Sequence, residues 1–242
     1  MGVPEGLPSV ARYVDTQGVV GVEGAVVVVD VIRAFSTAAY AFGAGARCVY
    51  LVATVDEALA FKRVHAGSVA MGEDRGLRPE GFDLPNSPAL AAAFDMDGRT
   101  VVQRTSAGTQ GVVAASSATR LWCASLVCAS ATAAAVNAAG LGAPSYVITG
   151  RFRDRPDRPG EDDWLTAQHI ESVRRGALDE VDPSGVARRV AASDEAARTL
   201  ALGPDHVHPE DIALAVDVDR FSFAMEVTRD SLGLRLDRVD PI

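Results

Sequence analysis

The apolar positions of this chain fall into short unbroken blocks, and between the blocks they recur at helical spacing. The clearest block is Ala25–Val31, where four valines run into Asp30. A continuous β-branched run of this length suits a strand covered on both faces, as in a parallel sheet. Cys48–Ala53, Val69–Gly72, Thr100–Thr105, Arg120–Ser125 and Ser145–Thr149 read the same way, and a first strand is expected around Val10–Val14. Helices are expected between them, at Ser36–Gly43, Val55–Val64, Ser87 to Phe94, Gly108 to Ser117 and Cys128–Ala139. Thr54 with Glu57 three residues on is a capping box, and Ser87 followed by Pro88 supplies a cap and a first-turn proline. Strands that alternate with helices in this way define an α/β fold with a parallel or mostly parallel (mixed) sheet.

After Gly150 the texture changes. Arg151–Asp163 is a charged loop, and helical patterns follow at Asp162–Arg175, Pro183–Leu202 and Asp205–Ala215. The alternation in Arg220–Val239 predicts one or two closing strands. One unit over residues 1–242 is expected, with a subdivision near residue 150 left open.

Composition narrows the class. The 242 residues carry a formal net charge of -9, which lacks the electrostatic footprint of a general nucleic-acid binder. No apolar run approaches a membrane span. Met1 and Gly2 are followed at the sixth position by Gly6 rather than Ser or Thr, so N-myristoylation is not expected, and neither is a secretory signal. Three cysteines, Cys48, Cys123 and Cys128, lack metal-site spacing and read as buried thiols in a reducing, cytoplasmic setting.

The chemistry lies in four loops that follow strand ends. These are Asp30–Arg33 with Ser36 and Thr37, Glu73 through Asp83 to Asn86 and Ser87, Arg104–Thr109, and Arg151–Asp163. In open α/β sheets the site lies outside the carboxyl ends of the strands, so a parallel sheet would gather all four loops at one edge. Taken singly, Asp30, Glu73, Asp83 and Asp162 or Asp163 read either as solvated loop charge or as ligands for a hard cation. Mg²⁺ takes oxygen donors, commonly one or two carboxylates with waters and phosphate oxygens. Thr105, Ser106, Gly108 and Thr109 open a helix, where backbone N–H groups can hold an anion or simply be capped. Asn86 and Ser87 offer the same two readings. The arginine-rich loop around Arg151 reads as solvated charge or as a lid that brings a cation to an anion. His65, His169, His206 and His208 show no ligand spacing and are assigned no catalytic role.

The stretches DVIRAFSTA, GEDRGLRPEGFDLPNSP, RTSAGTQG and the GEDD loop resemble, in order and spacing, the 2-phosphosulfolactate phosphatase (ComB) family over about residues 25–165. The resemblance implies a three-layer α/β/α fold and an Mg²⁺-dependent phosphatase acting in coenzyme M biosynthesis. Its substrate would be 2-phospho-3-sulfolactate, split to 3-sulfolactate and phosphate. It further implies that Asp30, Arg33, Asp83 and Asp162 do the chemistry and that Asp30, Glu73, Asp83 and Asp162 hold the metal. Asn86, Ser87, Thr105, Gly108 and Thr109 would hold the substrate, and from the loops themselves Ser36, Thr37, Ser106 and Arg151 are read as further substrate-holding groups. The chain departs from the family pattern in three places. The arginine of its Gly-Glu-Arg motif is displaced by one place to Arg75, Pro85 replaces a glycine, and Ala107 replaces an asparagine. Besides the small phosphorylated substrate, a homodimer is left open as a partner form. The other class to be separated from a phosphatase is a non-catalytic anion- or metabolite-binding protein on the same fold.

Overall fold

In a computed structural model the chain is described over residues 7–177 and 182–240. The N-terminal residues on which the myristoylation and signal readings rest therefore lie partly outside the described residues. The strands are β1 (Arg12–Val14), β2 (Ala25–Val29), β3 (Cys48–Leu51), β4 (Val69–Gly72), β5 (Leu84–Pro85), β6 (Thr100–Arg104), β7 (Arg120–Ala124), β8 (Ser145–Ile148), β9 (Ala224–Asp230) and β10 (Gly233–Val239). The helices are α1 (Ala34–Gly43), α2 (Val55–Val64), α3 (Pro88–Ala93), α4 (Gly108–Ala114), α5 (Ala129–Ala138), α6 (Glu161–Arg174), α7 (Pro183–Ala191), α8 (Asp194–Leu200) and α9 (Asp211–Ala215).

Local signals place most of these ends. Thr54 caps α2 through the expected reciprocal bonds with Glu57, and Ser87 accepts from Leu90 N ahead of Pro88 at the start of α3. Two expectations are corrected. The single helix expected over Pro183–Leu202 breaks in two, because Ser193 turns to extended backbone and caps a new helix by accepting from Ala196 N. The expected loop from Asp74 to Asn86 contains the two-residue strand β5, which pairs with β4 at Met71 and Gly72. Such a short pairing carries no periodicity to read.

All ten strands lie in one sheet, in the order β1-β8-β2-β7-β9-β10-β3-β6-β4-β5. Two parallel groups, β1-β8-β2-β7 and β3-β6-β4-β5, flank the antiparallel hairpin β9–β10. The C-terminal residues thus join the two groups of strands built from the first 150 residues.

Burial on β2 alternates between two cores. Val26 and Val28 pack with α1 and with β3, β4, β6, β7 and β8 residues in one cluster. Val27 and Val29 pack with Trp122, Tyr146 and the α5 and α6 residues Ala133 and Ile170 in another. The uninterrupted valine run is the sequence form of this two-sided burial.

The sheet is not flat. β2 and β6 are five positions apart in strand order, a spacing of roughly 24 Å across a flat sheet at about 4.8 Å per strand. Yet the Gln103 amide on β6 donates to the Ala34 carbonyl at the start of α1 at 2.8 Å. The sheet therefore curls around α1, whose residues from Ala34 to Phe42 are all buried. No described helix is long and apolar enough to cross a membrane.

The hairpin holds this curl, and Leu236 of β10 is fully buried in the cluster around α1. Leu236→Ala is expected to lower unfolding stability by about 2–5 kcal/mol. Urea titration checks this, with the midpoint falling and the slope unchanged.

Candidate active site

A cavity of about 120 Å³ opens where the ends of β2, β4, β6 and β8 meet. Its walls carry Asp30, Arg33, Glu73, Asn86, Ser106, Asp162 and Asp163 from the sequence candidates, together with Arg75, Arg158 and Glu195. All four strand-end loops converge here. They do so by the curl of a split, mixed sheet and not along one edge of a parallel one.

Asp30 follows β2 and is 6% exposed. Its Oδ1 accepts from Ala34 N at 2.9 Å, which fixes the carboxylate at the first turn of α1. Gly108 of α4 closes the other side. A Cβ at this position would stand 2.8 Å from Asp30 Oδ2 and 2.7 Å from the Ala34 Cβ, so only glycine allows the two segments so close. Arg33 is 3% exposed. It donates through Nη1 to Asp211 Oδ2 at 2.8 Å and to the His206 carbonyl at 3.1 Å. The peptide bond before Arg33 is cis.

Glu73 follows β4 and binds the next loop. Its Oε2 accepts from Gly76 N at 2.5 Å and from the Ser106 hydroxyl at 3.0 Å, and Oε1 accepts from Ser106 N. Gly72 makes this approach possible, with φ of 135° and a would-be Cβ only 1.9 Å from the Arg104 carbonyl. Ser106 Oγ also receives Arg75 N at 2.8 Å and Arg104 Nη1 at 3.3 Å. Asn86 is 5% exposed, and its buried Oδ1 has no partner in the protein.

Asp162 and Asp163, in the first turn of α6, divide their work. Asp163 accepts from Val31 N at 2.9 Å, from Gly150 N at 2.8 Å and from Thr149 Oγ1 at 3.1 Å, and so ties β2, β8 and α6 together. Among the described residues, no group of another element hydrogen-bonds the Asp162 carboxyl. Burial, and after it the charges of Glu195 and Asp30, raise its pKa to about 7. Asp30 is raised to about 6, by burial first and then by Glu73 and Glu195 against the Ala34 bond. Asp163 is raised well above the usual carboxyl value, chiefly by burial.

Several sequence candidates lie elsewhere. Asp83 is corrected: its Oδ1 pairs with Lys62 at 2.6 Å and its Oδ2 accepts from Ala70 N at 2.8 Å, on the outer side of β4. Ser36 donates to the Val31 carbonyl at 2.7 Å, and Thr37 is buried in α1 with an unpaired hydroxyl. Thr105 and Thr109 bond each other reciprocally across the start of α4. Ser87 donates to Asp211 at 2.6 Å while capping α3. Arg151 donates to the Pro159 carbonyl and stacks on Trp164, in a groove beside the cavity. None of these residues lines the cavity.

Two residues of the site escaped the sequence. Asp211 is fully buried and collects Arg33, Ser87 Oγ, Ala89 N and His208 N. Its only local signal is an acid opening a short helix, which says nothing of an arginine 178 positions away. Glu195 reaches the cavity from α8, on a helix that reads as an ordinary amphipathic segment.

The family model described as 2-phosphosulpholactate phosphatase matches residues 13–208. A Bacillus subtilis protein named "Probable 2-phosphosulfolactate phosphatase" is 32% identical over 213 residues, 88% of this chain and 91% of that one. A Thermus thermophilus protein of the same name is 35% identical over 198 residues, 80% of this chain and 81% of its own. A third, from Caldicellulosiruptor saccharolyticus, is 39% identical over 101 residues, 42% of each chain.

The raised carboxyls fix a pH dependence of stability. The folded chain retains protons on Asp30 and Asp162 that the unfolded chain, with carboxyls near 4, has released. The penalty is absent below about pH 4 and grows as pH rises through the folded values. Metal-free protein should therefore lose thermal stability from about pH 4 to about pH 7 on account of these groups. Asp162→Asn is expected to raise the melting temperature at pH 7.5 and to leave it unchanged at pH 4. Thermal scans in chelating buffer check this, and an equal gain at both values would refute the assignment.

Proposed function

We propose that this chain, which belongs to the 2-phosphosulpholactate phosphatase family and is a phosphoric monoester hydrolase, splits 2-phospho-3-sulfolactate into 3-sulfolactate and phosphate with Mg²⁺ as cofactor. The observation that carries the reading is the meeting of Asp30, Glu73, Asp162 and Arg33 in one small cavity.

The donor set suits a hard cation. Asp30 and Asp162 are buried carboxyls; Glu195 raises the proton affinity of both, Asp30 raises that of Asp162, and a divalent ion would relieve that repulsion. The unpartnered Asn86 Oδ1 offers a neutral oxygen in the same space. Among the described residues no three Asp, Glu, His or Cys side chains stand ready to ligate one ion. A cage made only of protein groups is not what Mg²⁺ needs, since it commonly keeps waters beside one or two carboxylates. Asp30 and Asp162 would hold it, with Glu73 close by. Bound there, Mg²⁺ would neutralise phosphoryl oxygens and position the group for transfer.

The protein's own groups do the rest. Arg33 keeps its charge in a buried setting because Asp211 partners it, and its remaining N–H groups can stabilise charge that develops on the phosphoryl group. Asp162, at the cavity wall, would orient the attacking water. Asp83 is set aside for this role because Lys62 and Ala70 already hold both its oxygens. Ala107 lines the cavity, and its backbone N–H would donate to another phosphoryl oxygen, while Ser106 N is held by Glu73. Helices against both faces of β2 support the three-layer α/β/α reading, and three buried free cysteines support a reducing, cytoplasmic setting.

Phosphate release from 2-phospho-3-sulfolactate and from a panel of phosphorylated hydroxy acids tests the proposal. Activity should require Mg²⁺ and vanish with chelator, and Asp30→Asn should lose on the order of 10²-fold or more in kcat/KM. Binding of phosphate esters without metal-dependent release of phosphate would sink it.

A further inference from the structure

The loop whose Gly150, Phe152 and Arg158 line the cavity holds four arginines, and three are committed within the protein. Arg151 donates to the Pro159 carbonyl and lies over the Trp164 ring at 5.1 Å. Arg153 grips Asp15 with two bonds at 2.5 and 2.9 Å. Arg155 pairs with Asp157 at 3.1 and 3.2 Å. The loop is pinned as well. A bridge between Arg151 and Pro159 closes its base, and Arg198 of α8 donates to the Asp157 carbonyl at 2.9 Å.

Arg158 is different. It lines the cavity beside Asp162 and Glu195, half-buried, and among the described residues no acceptor meets its guanidinium. Its Nε is sealed from solvent and unpaired. A buried cationic donor without an acceptor is costly, and the cost disappears when a ligand oxygen takes the bond. The other cavity cations do not share this condition. Arg33 is bound to Asp211, and Arg75 is exposed. The planar guanidinium is also the group best shaped to hold an anionic oxygen pair.

We infer that Arg158 is the ligand-holding residue of this loop, donating to an anionic oxygen of the bound molecule. The chemistry fits an oxygen of the phosphoryl group or of a second acid group on the same substrate. The inference rests on the reading of the cavity as a phosphomonoester site and adds a residue to it.

The test uses the full chain, with Arg158→Ala, Arg158→Lys and, as a surface control, Arg155→Ala. Inorganic phosphate is titrated calorimetrically and by thermal shift, and kinetics are measured on phosphomonoesters with and without a carboxylate or sulfonate. Arg158→Ala should weaken phosphate binding, or raise KM for the doubly acidic esters alone, by about tenfold or more, with the ligand-free melting temperature close to that of the parent. The first result places Arg158 on the phosphoryl group and the second on the other acid. Arg158→Lys should recover part of the loss, and Arg155→Ala should match the parent. Phosphate affinity and every KM within twofold of the parent in Arg158→Ala would overturn the inference. A parent protein that binds phosphate through Arg158 but releases none from any ester would overturn the phosphatase reading and leave Arg158 in place.

Discussion

The site depends on the curl of the sheet around α1. Strands β2 and β6 are separated by four others, yet the end of one abuts the start of the helix that follows the other. Only a small residue can stand at the closest point, and Gly108 packs directly against Asp30 and Ala34. The alanine-rich α1, buried from Ala34 to Phe42, gives the sheet something narrow enough to wrap. The β9–β10 hairpin, inserted between two parallel groups of strands, supplies the turn in direction. Without that wrap, Asp30 and Glu73 would sit on separate parts of a broad sheet.

Bringing acids together under cover has an electrostatic cost, and the protein meets it unequally. Asp163 receives three hydrogen bonds and acts as a clasp between β2, β8 and α6. Asp162, its neighbour in sequence, is left with raised proton affinity at the cavity wall. Arg33 and Asp211 form a buried pair with additional donors around the carboxylate. Such a pair adds little net stability, and breaking it is expensive. The arrangement spends stability on a cavity whose polar groups wait for a ligand, as active sites commonly do.

Much of this was readable in the residues because short-range physics governs it. The valine run declared a strand buried on two faces. The Thr54 and Glu57 capping box and the Ser87 and Pro88 start declared helix ends. Asp30, Arg33, Glu73, Asn86, Ser106 and Asp162 could be nominated because each follows a strand end in a motif of known type. The misplacements were of another kind. Asp83, Ser36, Thr37 and the Thr105 and Thr109 pair have the right chemistry at the right loops. Their side chains are taken by Lys62, by a backbone carbonyl or by each other, or, for Thr37, are buried in α1, and a one-dimensional pattern does not show which way a side chain leaves its strand or helix.

The sequence by itself thus determined the alternation of strands and helices, the loops that carry chemistry and the family to which they belong. These follow from periodicity, caps and motif spacing within a few tens of residues. Tertiary structure alone decided that the sheet is split by its last hairpin, that four loops meet by curling, and that Asp211, Glu195 and Arg158 belong to the site. Those facts depend on contacts across more than a hundred residues. The pairing of Arg33 with an acid 178 positions away is fixed by the packing of α9 against α1 and α3, and no local pattern encodes it.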